Sequence, residues 1–414
     1  MPNKKTVVVG YSGGVIALQQ LCGPGDVIVI EEPDVVRKRN LVEEVKKYPV
    51  VGRLIEFEYQ KEELTDQLYN LLKGEEILSI IPLVEYATLC AARLADLFKV
   101  PSGGYEANLT LREKNRLRNV TSRFGIKNPK SQLVFNVDEV KRFAAGTSGP
   151  IIIKAGNRQA SVGAVIVRDR SKFQEAWEIS MDRDEGVLVP DRGFPLITLA
   201  EQFVVGNGCS VELLVSHGRT LFSNVTLMTL FEGDFPVWGS HIVPAPLESS
   251  VYNLLVKQTQ QVVAATGFDT GIIHCEWIWD GKEAYLIECA GRFPGDGIGE
   301  LIQRAYGFDI IKAYVLIMRG EDPGELPASA SKTAMIHFIK GQDGKIAKID
   351  VDDEAFKRDG VDCHLTAKVG DLVRPPRTAW QRLGSIMLEA PNAAEARERA
   401  NRALSGIRIS YGGA

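Results

Sequence analysis

The sequence predicts a mixed α/β protein of several domains, whose first domain is a parallel sheet with helices on both faces. The chain has 414 residues, more than one hydrophobic core usually serves. Short β-branched runs alternate with helical patterns over the N-terminal part, as in a parallel sheet with crossover helices. Proline and glycine then interrupt this pattern at PSGG, residues 101–104, which marks a domain boundary.

The composition excludes several functional classes. With 45% hydrophobic and 25% charged residues the chain has a globular composition, and no apolar stretch approaches the roughly 18 residues of a membrane span. Acids and bases are interspersed at a net charge of −4, so no basic stripe favours a nucleic-acid partner. Six cysteines without a CxxC pair indicate reduced thiols, and we expect a cytoplasmic protein. The opening MPNKKTVVVG is expected to be a strand rather than a signal peptide, since its apolar run breaks at Gly10.

Four domains are predicted. A Rossmann-like N-terminal domain covers 1–100, and its first turn, GYSGG, is either a tight strand-to-helix turn or a nucleotide loop without the GxGxxG pattern. A small lobe covers 101–205 and includes a lid at 146–205, a large lobe covers 206–320, and a small β-rich domain covers 321–414. The first-domain strands are predicted at TVVVG, DVIVIEE, GRLIEFEY and EEILSII, and its helices at VIALQQL, DVVRKRNLVEEVKKY, EELTDQLYNLL and VEYATLCAARLADLF.

Two glutamates, Glu276 and Glu288, interrupt the apolar, strand-like runs of HCEWIWDGKEAYLIECAGRFPGD. We predict an antiparallel hairpin that turns at 280–282, in which Glu276 lies opposite Leu286. The two glutamates then form a diagonal pair on one face, about 7–8 Å apart at the backbone. A strict two-residue turn would send them to opposite faces, so the prediction requires an odd loop or a bulge.

Converging carboxylates favour a metal at this hairpin. They repel each other by about 4 kcal/mol at 4 Å and an effective dielectric of 20, a cost that a divalent cation removes. Mg²⁺ takes one or two carboxylates plus substrate phosphates; the alternative is two edge glutamates that face water. Arg292 follows, a planar cation able to clamp phosphate or carboxylate oxygens. A helix is predicted to begin in FPGDGIGELIQ, and its free N–H groups would attract anions. Asp296 is the expected N-cap, and Gly295 is expected to lie beside the substrate.

Two further segments carry candidate nucleotide contacts. Lys154 ends the β-branched run of PIIIKAGNRQASVGAVIV, and the small-residue loop that follows, with Ser161, would fold over phosphates through backbone N–H groups. A plain hairpin is the alternative, and the P-loop pattern GxxxxGK[ST] is absent. Glu201 in LAEQFVVGN would accept a hydrogen bond from an adenine amino group while the following backbone supplies hinge contacts. A strand-edge glutamate is the alternative there.

In this order and at these spacings, the elements resemble the ATP-grasp superfamily. A basic helix with Lys114 is followed by Lys154 on a strand, a small-residue loop, EQFV, GIIHCE and LIECAGRFPGD. The resemblance covers residues 101–320 directly and implies an α+β ATP-grasp core between the N-terminal and C-terminal domains. The ECAGRFPGD form and a helix ending in AYG are similar to the bacterial L-amino-acid (dipeptide) ligases of the dapdiamide-synthetase type.

The resemblance also implies a role for each matching residue. The implied phosphate contacts are Lys114, Lys154, Ser161 and Gly163. The implied adenine contacts are Glu201, Gln202, Phe203 and Val204. The implied metal ligands are Glu276 and Glu288, for two Mg²⁺ ions for which Mn²⁺ is expected to be able to substitute. The implied catalytic residues are Arg292 and Lys154. Gly208 and Ala290 depart from the family pattern, which puts the ribose contact and one metal contact in doubt.

The implied reaction is ATP-dependent amide formation between amino-acid-like substrates through an acyl phosphate, in dipeptide or peptide-antibiotic biosynthesis. The aromatic loop 231–246, with Trp238 and His241, would form the substrate wall, and a packed surface loop is the alternative. His274 would orient a metal carboxylate, contact the substrate or be purely structural. The rival interpretations are a purine-pathway or carboxylase-type enzyme and a non-catalytic nucleotide-binding module. The expected partners are small amino-acid-type substrates, and a homodimer is a family expectation.

Overall fold

The structure is a computed structural model that describes residues 4–181, 186, 189–190 and 196–412. It confirms the predicted mixed α/β fold, which is built on four sheets. None of the helices in the described part of the chain has the length and apolar character needed to cross a lipid bilayer.

The N-terminal segment forms the predicted parallel sheet. Its elements are β1 (Lys5–Val9), α1 (Gly14–Leu18), β2 (Val27–Glu31), α2 (Pro33–Lys38), α3 (Leu41–Glu44), β3 (Val51–Glu56), α4 (Thr65–Leu72), β4 (Ile77–Pro82) and α5 (Thr88–Phe98). The strand order is β3–β2–β1–β4, with every pair parallel. Val8 joins one hydrophobic core while Val7 and Val9 join another, because helices cover both faces of the sheet.

A second, antiparallel sheet forms the small lobe. Its segment contains α6 (Tyr105–Arg112), α7 (Lys114–Arg123), β5 (Ser131–Leu133), α8 (Val137–Ala145), β6 (Ile151–Ala155), β7 (Val165–Val167), α9 (Phe173–Ser180) and β8 (Thr198–Gln202). The strand order is β5–β8–β6–β7. The predicted lid at 146–205 includes β6, β7, α9 and β8, while its residues 182–185, 187–188 and 191–195 lie outside the described residues.

The large lobe and the C-terminal segment share one eight-stranded sheet. The large lobe supplies β9 (Asn207–Ser216), β10 (Arg219–Leu230), β11 (Trp238–Val243), α10 (Ser249–Thr266), β12 (Gly271–Trp279), β13 (Ala284–Ala290), α11 (Ile298–Tyr306) and α12 (Ile310–Met318). The C-terminal segment supplies β14 (Thr333–Ile339), β15 (Gly344–Val351), α13 (Asp353–Asp359), β16 (Val361–Leu365), β17 (Leu372–Val373), β18 (Gly384–Ala390), α14 (Ala393–Ser405) and β19 (Ile407–Gly412).

The order of the large sheet is β13–β12–β9–β10–β11–β14–β18–β16, and β17–β15–β19 form a small separate sheet. Three strands of the C-terminal segment therefore extend the sheet of the large lobe. The predicted domain boundaries stay predictions.

The predicted register of the β12–β13 hairpin is wrong. Glu276 lies directly opposite Glu288, and a bulge separates this pair from Trp277 opposite Leu286. The turn is one residue longer than predicted, because the side chain of Asp280 accepts hydrogen bonds from the backbone N–H groups of Lys282 and Glu283 at 2.8 and 2.7 Å. The bulge restores the common face, so the two carboxylates are closer neighbours than the predicted diagonal pair.

Candidate active site

One cavity of about 1140 Å³ lies where the N-terminal domain, the small lobe and the large sheet meet. Single ligand pockets measure roughly 300–1,000 Å³, so this cavity has room for more than one molecule. The predicted site residues on its wall are Lys114, Lys154, Ser161, Glu201, Gln202, Phe203, Val204, Trp238, His241, His274, Glu276, Glu288, Arg292 and Gly295. Gly163 is not on the wall; its φ of +69° and a Cβ position 2.8 Å from the carbonyl oxygen of Ser180 require glycine there.

The paired glutamates are each balanced by a neighbouring cation. The Lys114 ammonium lies 2.8 Å from Glu288 Oε2. Partial burial acts to raise the pKa of Glu288, but the charges of Lys114 and Lys154 outweigh it and hold this pKa well below its usual range. His274 Nε2 lies 3.6 Å from Glu276 Oε1. Glu288 is therefore an anion at neutral pH, and both carboxylates face the cavity.

His274 links Glu276 to a buried acid that the sequence analysis missed. Its Nδ1 lies 2.9 Å from Oε1 of Glu212, a fully buried residue on β9. Glu212 also accepts hydrogen bonds from Ser210, Asn224 and Thr226. Burial acts to lower the pKa of His274, but the hydrogen bonds and charges of the two glutamates raise it to about 10. The imidazole is thus held as a cation between the two glutamates, and its predicted role in orienting a metal carboxylate stays a prediction.

Lys154 and Arg118 share one buried carboxylate. Glu201 Oε2 lies 2.6 Å from the Lys154 ammonium, and Oε1 accepts from Arg118 Nε at 2.8 Å. Burial acts to raise the pKa of Glu201, but the two cations lower it below its usual range. Both carboxylate oxygens are thus engaged by cations, and the adenine contact predicted for Glu201 stays a prediction. Arg118 was missed because a single arginine in a basic helix gives no signal of its own.

Arg292 reaches across to the N-terminal domain. Its Nε donates to Glu85 Oε2 at 2.6 Å, and a terminal nitrogen donates to the Phe293 carbonyl at 2.9 Å. Glu85 follows β4 and is buried, and it lies on the cavity wall. The pair spans 207 positions of sequence, so no local pattern could have found Glu85.

The prediction that Asp296 is the N-cap of α11 is wrong. Gly297 occupies that position, and Asp296 has a φ of +54°. Its carboxylate accepts two hydrogen bonds from Arg382, at 3.0 and 2.5 Å, and lies 3.3 Å from Nε2 of the fully buried His241. Burial acts to raise the pKa of Asp296, but these two partners hold it far below its usual range. Arg382 therefore ties the C-terminal segment to the turn after Arg292.

The small-residue loop after Lys154 is held by three other segments. Ala160 and Ser161 have φ values of +57° and +60°, and such non-glycine conformations cost about 1–3 kcal/mol each. The Ser161 hydroxyl donates to the Pro236 carbonyl at 2.7 Å, and the Ala379 N–H donates to the Ala160 carbonyl at 3.1 Å. The Lys114 ammonium donates to the carbonyl of Arg158 at 3.3 Å. The loop therefore lies against the cavity in a fixed conformation.

The two departures from the family pattern have local explanations. A Cβ at Gly208 would lie 2.5 Å from the Trp238 ring, so the indole occupies the space that a longer side chain would need. Ala290 is buried directly opposite His274 in the sheet. The ribose contact and the second metal contact therefore lack the side chains usual at these positions.

The donor set fits a hard divalent cation that is shared with a ligand. No group of three or more His, Cys, Asp or Glu side chains in the described ranges could hold a metal alone. The directly opposed carboxylates of Glu276 and Glu288 supply two oxygen-bearing groups on the cavity wall. Mg²⁺ is commonly held in this way, by one or two carboxylates with substrate phosphates completing its shell.

Two family models match the chain. Residues 147–300 match the ATP-grasp domain, and residues 337–412 match the L-amino acid ligase C-terminal domain 2. The first region contains the predicted loop, hinge and acidic pair. The second contains strands of the large sheet together with Arg382.

Similarity to individual proteins extends over much of the chain. The alanine–anticapsin ligase of Bacillus subtilis is 21% identical over 250 residues, which are 57% of this chain and 52% of that protein. The chain therefore spans about half the length of that relative. An L-amino acid ligase from Bacillus licheniformis has the same fold, with a TM-score of 0.79 over all of both chains at 19% identity. Phosphoribosylglycinamide synthetase from Anaerococcus prevotii aligns over 99% of this chain and 100% of its own, with a TM-score of 0.71 at 15% identity.

Proposed function

We propose that this chain is an ATP-grasp carboxylate–amine ligase, which uses ATP to form an amide bond between two amino-acid-like substrates. One observation carries the proposal: an opposed pair of carboxylates and three cations meet on the wall of one large cavity. These residues are Lys114, Lys154, Glu276, Glu288 and Arg292. Charge of both signs at one place suits phosphoryl transfer, where catalysis is mostly positioning and electrostatic stabilisation.

The nucleotide would lie between the small lobe and the large sheet. Lys114, Lys154 and the backbone of the loop that contains Ser161 would hold the phosphates, and Gln202 to Val204 would line the adenine pocket. Glu276 and Glu288 would hold Mg²⁺, which when bound supplies positive charge beside the terminal phosphates. We propose two ions, with Mn²⁺ able to replace them.

The proposed chemistry has two steps. A substrate carboxylate oxygen attacks the terminal phosphorus of ATP, the bond to ADP breaks, and an acyl phosphate forms. The amine of the second substrate then attacks the acyl carbon, a C–N bond forms, the C–O bond to phosphate breaks, and the departing phosphate takes the amine proton. Arg292 would stabilise the transferring group and the oxyanion, with Glu85 fixing the direction of its guanidinium.

Water must be excluded because an acyl phosphate hydrolyses. The small-residue loop would cover the reacting groups, and its contacts with Pro236 and Ala379 support a closed position. Trp238 would form part of the substrate wall, since its ring packs on Gly208 and lines the cavity.

The proposed substrates are amino acids or amino-acid derivatives. The name of the Bacillus subtilis relative, a ligase of alanine and anticapsin, supports a product of the dipeptide or peptide-antibiotic type. We propose that the protein acts in the cytoplasm. The predicted homodimer stays a prediction.

The proposal is tested by a screen of phosphate release. The protein is mixed with Mg-ATP and pairs of L-amino acids, and condensed products are identified by mass. We expect phosphate release with at least one pair, together with a product whose mass is the sum of the two amino acids minus water. Release only with phosphoribosylamine plus glycine would favour the purine-pathway alternative. No phosphate release with any of the acceptors would indicate a non-catalytic nucleotide-binding module.

A further inference from the structure

The glycine-rich first turn of the chain, GYSGG, lies on the same cavity as the acidic pair. Tyr11, Ser12, Gly13 and Gly14 line its wall, and Arg39 lines it beside them. None of these residues belongs to the proposed nucleotide or metal contacts. The proposed nucleotide and metal contacts therefore leave this end of the cavity without an assigned ligand.

The turn sits at the place where open parallel sheets bind ligands. Because the strand order is β3–β2–β1–β4, the chain moves outward in one direction from β1 and then returns to add β4 on its other side. A crevice forms between the carboxyl ends of β1 and β4, and ligands of such sheets bind at this switch point. The turn follows β1, and Glu85 follows β4.

Arg39 forms no salt bridge with a carboxylate among the described residues, although Glu31 and Glu44 lie close enough for its charge to act on them. One terminal nitrogen donates to the Tyr11 carbonyl at 2.7 Å, and the guanidinium lies 5.1 Å from the centre of the Tyr11 ring. In the described part of the chain its other two nitrogens make no hydrogen bond. The nearby Glu31 carboxylate is occupied by the backbone N–H groups of Tyr11 and Glu32, at 2.7 and 2.8 Å.

The cations at the acidic pair differ from Arg39, because each has a carboxylate of its own. Lys114 pairs with Glu288, Lys154 with Glu201, and Arg292 with Glu85. Arg397 also lines the cavity, but it is exposed on α14 of the C-terminal segment, away from the strand ends. Arg39, by contrast, forms no salt bridge with any described residue.

The turn is connected to the reacting end of the cavity by direct packing. A Cβ on Gly10, whose φ is +76°, would lie 2.2 Å from a methyl carbon of Val84. The next residue, Glu85, holds Arg292. The turn and the Glu85–Arg292 pair therefore belong to neighbouring parts of the same cavity wall.

We infer that Arg39 and the 11–14 turn bind the carboxylate of the amine-bearing substrate, an α-amino acid. This inference rests on the proposed function. The donor substrate loses its carboxylate charge when the acyl phosphate forms, whereas an amino-acid acceptor keeps its own carboxylate throughout. That charge requires a cation in the cavity. The Nε and the second terminal nitrogen of the Arg39 guanidinium have no hydrogen-bond partner within the described ranges, and they offer the bidentate contact that carboxylates favour.

The test compares two acceptors in three variants. The acceptors are the amino acid found in the phosphate-release screen and the amine obtained by removing its carboxyl group. In Arg39→Met we expect the KM for the amino acid to rise about 10- to 100-fold, as for loss of a charge-assisted hydrogen bond. The KM for the amine and both kcat values should stay within about twofold. Arg37→Met removes the same charge from the exposed side of the same helix and should behave as wild type.

Arg39→Lys is a second variant that controls for a folding defect in Arg39→Met. It keeps the positive charge but lacks the bidentate N–H donors of a guanidinium. A rise in KM confined to the amino acid is expected there too, smaller than in Arg39→Met. An equal effect on both acceptors would show that Arg39 only supports the turn, and no effect on either would also overturn the inference. A wild-type protein that is inactive with every amino-acid pair contradicts the proposed function itself, and the inference with it.

Discussion

At the scale of single residues, the site depends on charged side chains that are buried and paired with opposite charges. Glu201 is 1% exposed, and its two cationic partners are 7% and 5% exposed. Removing one member of such a cluster leaves an uncompensated buried charge, whereas an exposed pair contributes little. The same substitution should therefore have very different consequences at buried and exposed pairs.

Glu201→Gln tests this difference. It leaves Lys154 and Arg118 facing each other without an anion, and we expect a loss of about 3–5 kcal/mol in the free energy of unfolding. Urea unfolding followed by circular dichroism measures it. The matched control is Glu283→Gln, which breaks an exposed pair with Lys127 and should cost at most about 1 kcal/mol. Equal losses in the two variants would contradict the assigned role of the cluster.

The His274 imidazole predicts a dependence of stability on pH. Its pKa is raised from 6.5 to about 10 in the folded protein, so the stabilisation is complete below pH 6.5 and is lost as pH rises toward 10. The difference in unfolding free energy between wild type and His274→Gln should therefore shrink steadily over that range. His217→Gln, at a histidine whose side chain is 78% exposed, is the matched control for the loss of an imidazole. A flat difference for His274→Gln would contradict the charged imidazole.

At the scale of elements, two contacts of the C-terminal segment reach the turn after Arg292 and the small-residue loop. Arg382 holds Asp296 in the turn after Arg292, and Ala379 contacts the small-residue loop at Ala160. Trp380, between them, lines the cavity. The segment therefore links the loop proposed to cover the phosphates with the turn that follows Arg292, the arginine proposed to be catalytic.

Arg382→Gln tests this link. We expect the KM for ATP to rise roughly tenfold, about 1.4 kcal/mol, with a smaller change in kcat, because the covering loop loses support while the acidic pair is untouched. Steady-state kinetics at a saturating amino-acid pair measures both constants. Arg358→Gln, an exposed position on α13, is the control. An unchanged KM for ATP would show that the segment does not support the loop.

At the scale of the whole molecule, local patterns in the sequence predicted elements better than the contacts between them. The parallel sheet was predictable because its β-branched strands and helices alternate regularly. The acidic pair was predictable because two glutamates within apolar strands are costly to bury unless a cation lies beside them. The hairpin register was not, since it depends on Asp280 capping the turn and on the backbone N–H of Leu286 bonding to the Lys127 carbonyl of another segment.

Partners from remote parts of the chain could not be predicted for a related reason. Glu85 and Arg382 meet their partners only when separate domains pack together, and neither lies in a motif. Glu212 lies in an apolar strand as Glu276 and Glu288 do, yet it contacts His274 from inside the sheet. The chemistry of a residue type was therefore visible in the sequence, while its partner depended on the tertiary fold.

The central claim is that Glu276 and Glu288 together hold the metal for phosphoryl transfer, and Glu288→Gln tests it most directly. The carboxylate is 36% exposed to the cavity, and glutamine keeps its shape, so we expect an intact fold by circular dichroism and urea unfolding. Phosphate release with Mg-ATP and the active amino-acid pair should fall by about 10²–10³-fold or more, while Glu283→Gln on the same hairpin keeps the wild-type rate. A wild-type rate of phosphate release in Glu288→Gln would contradict the account.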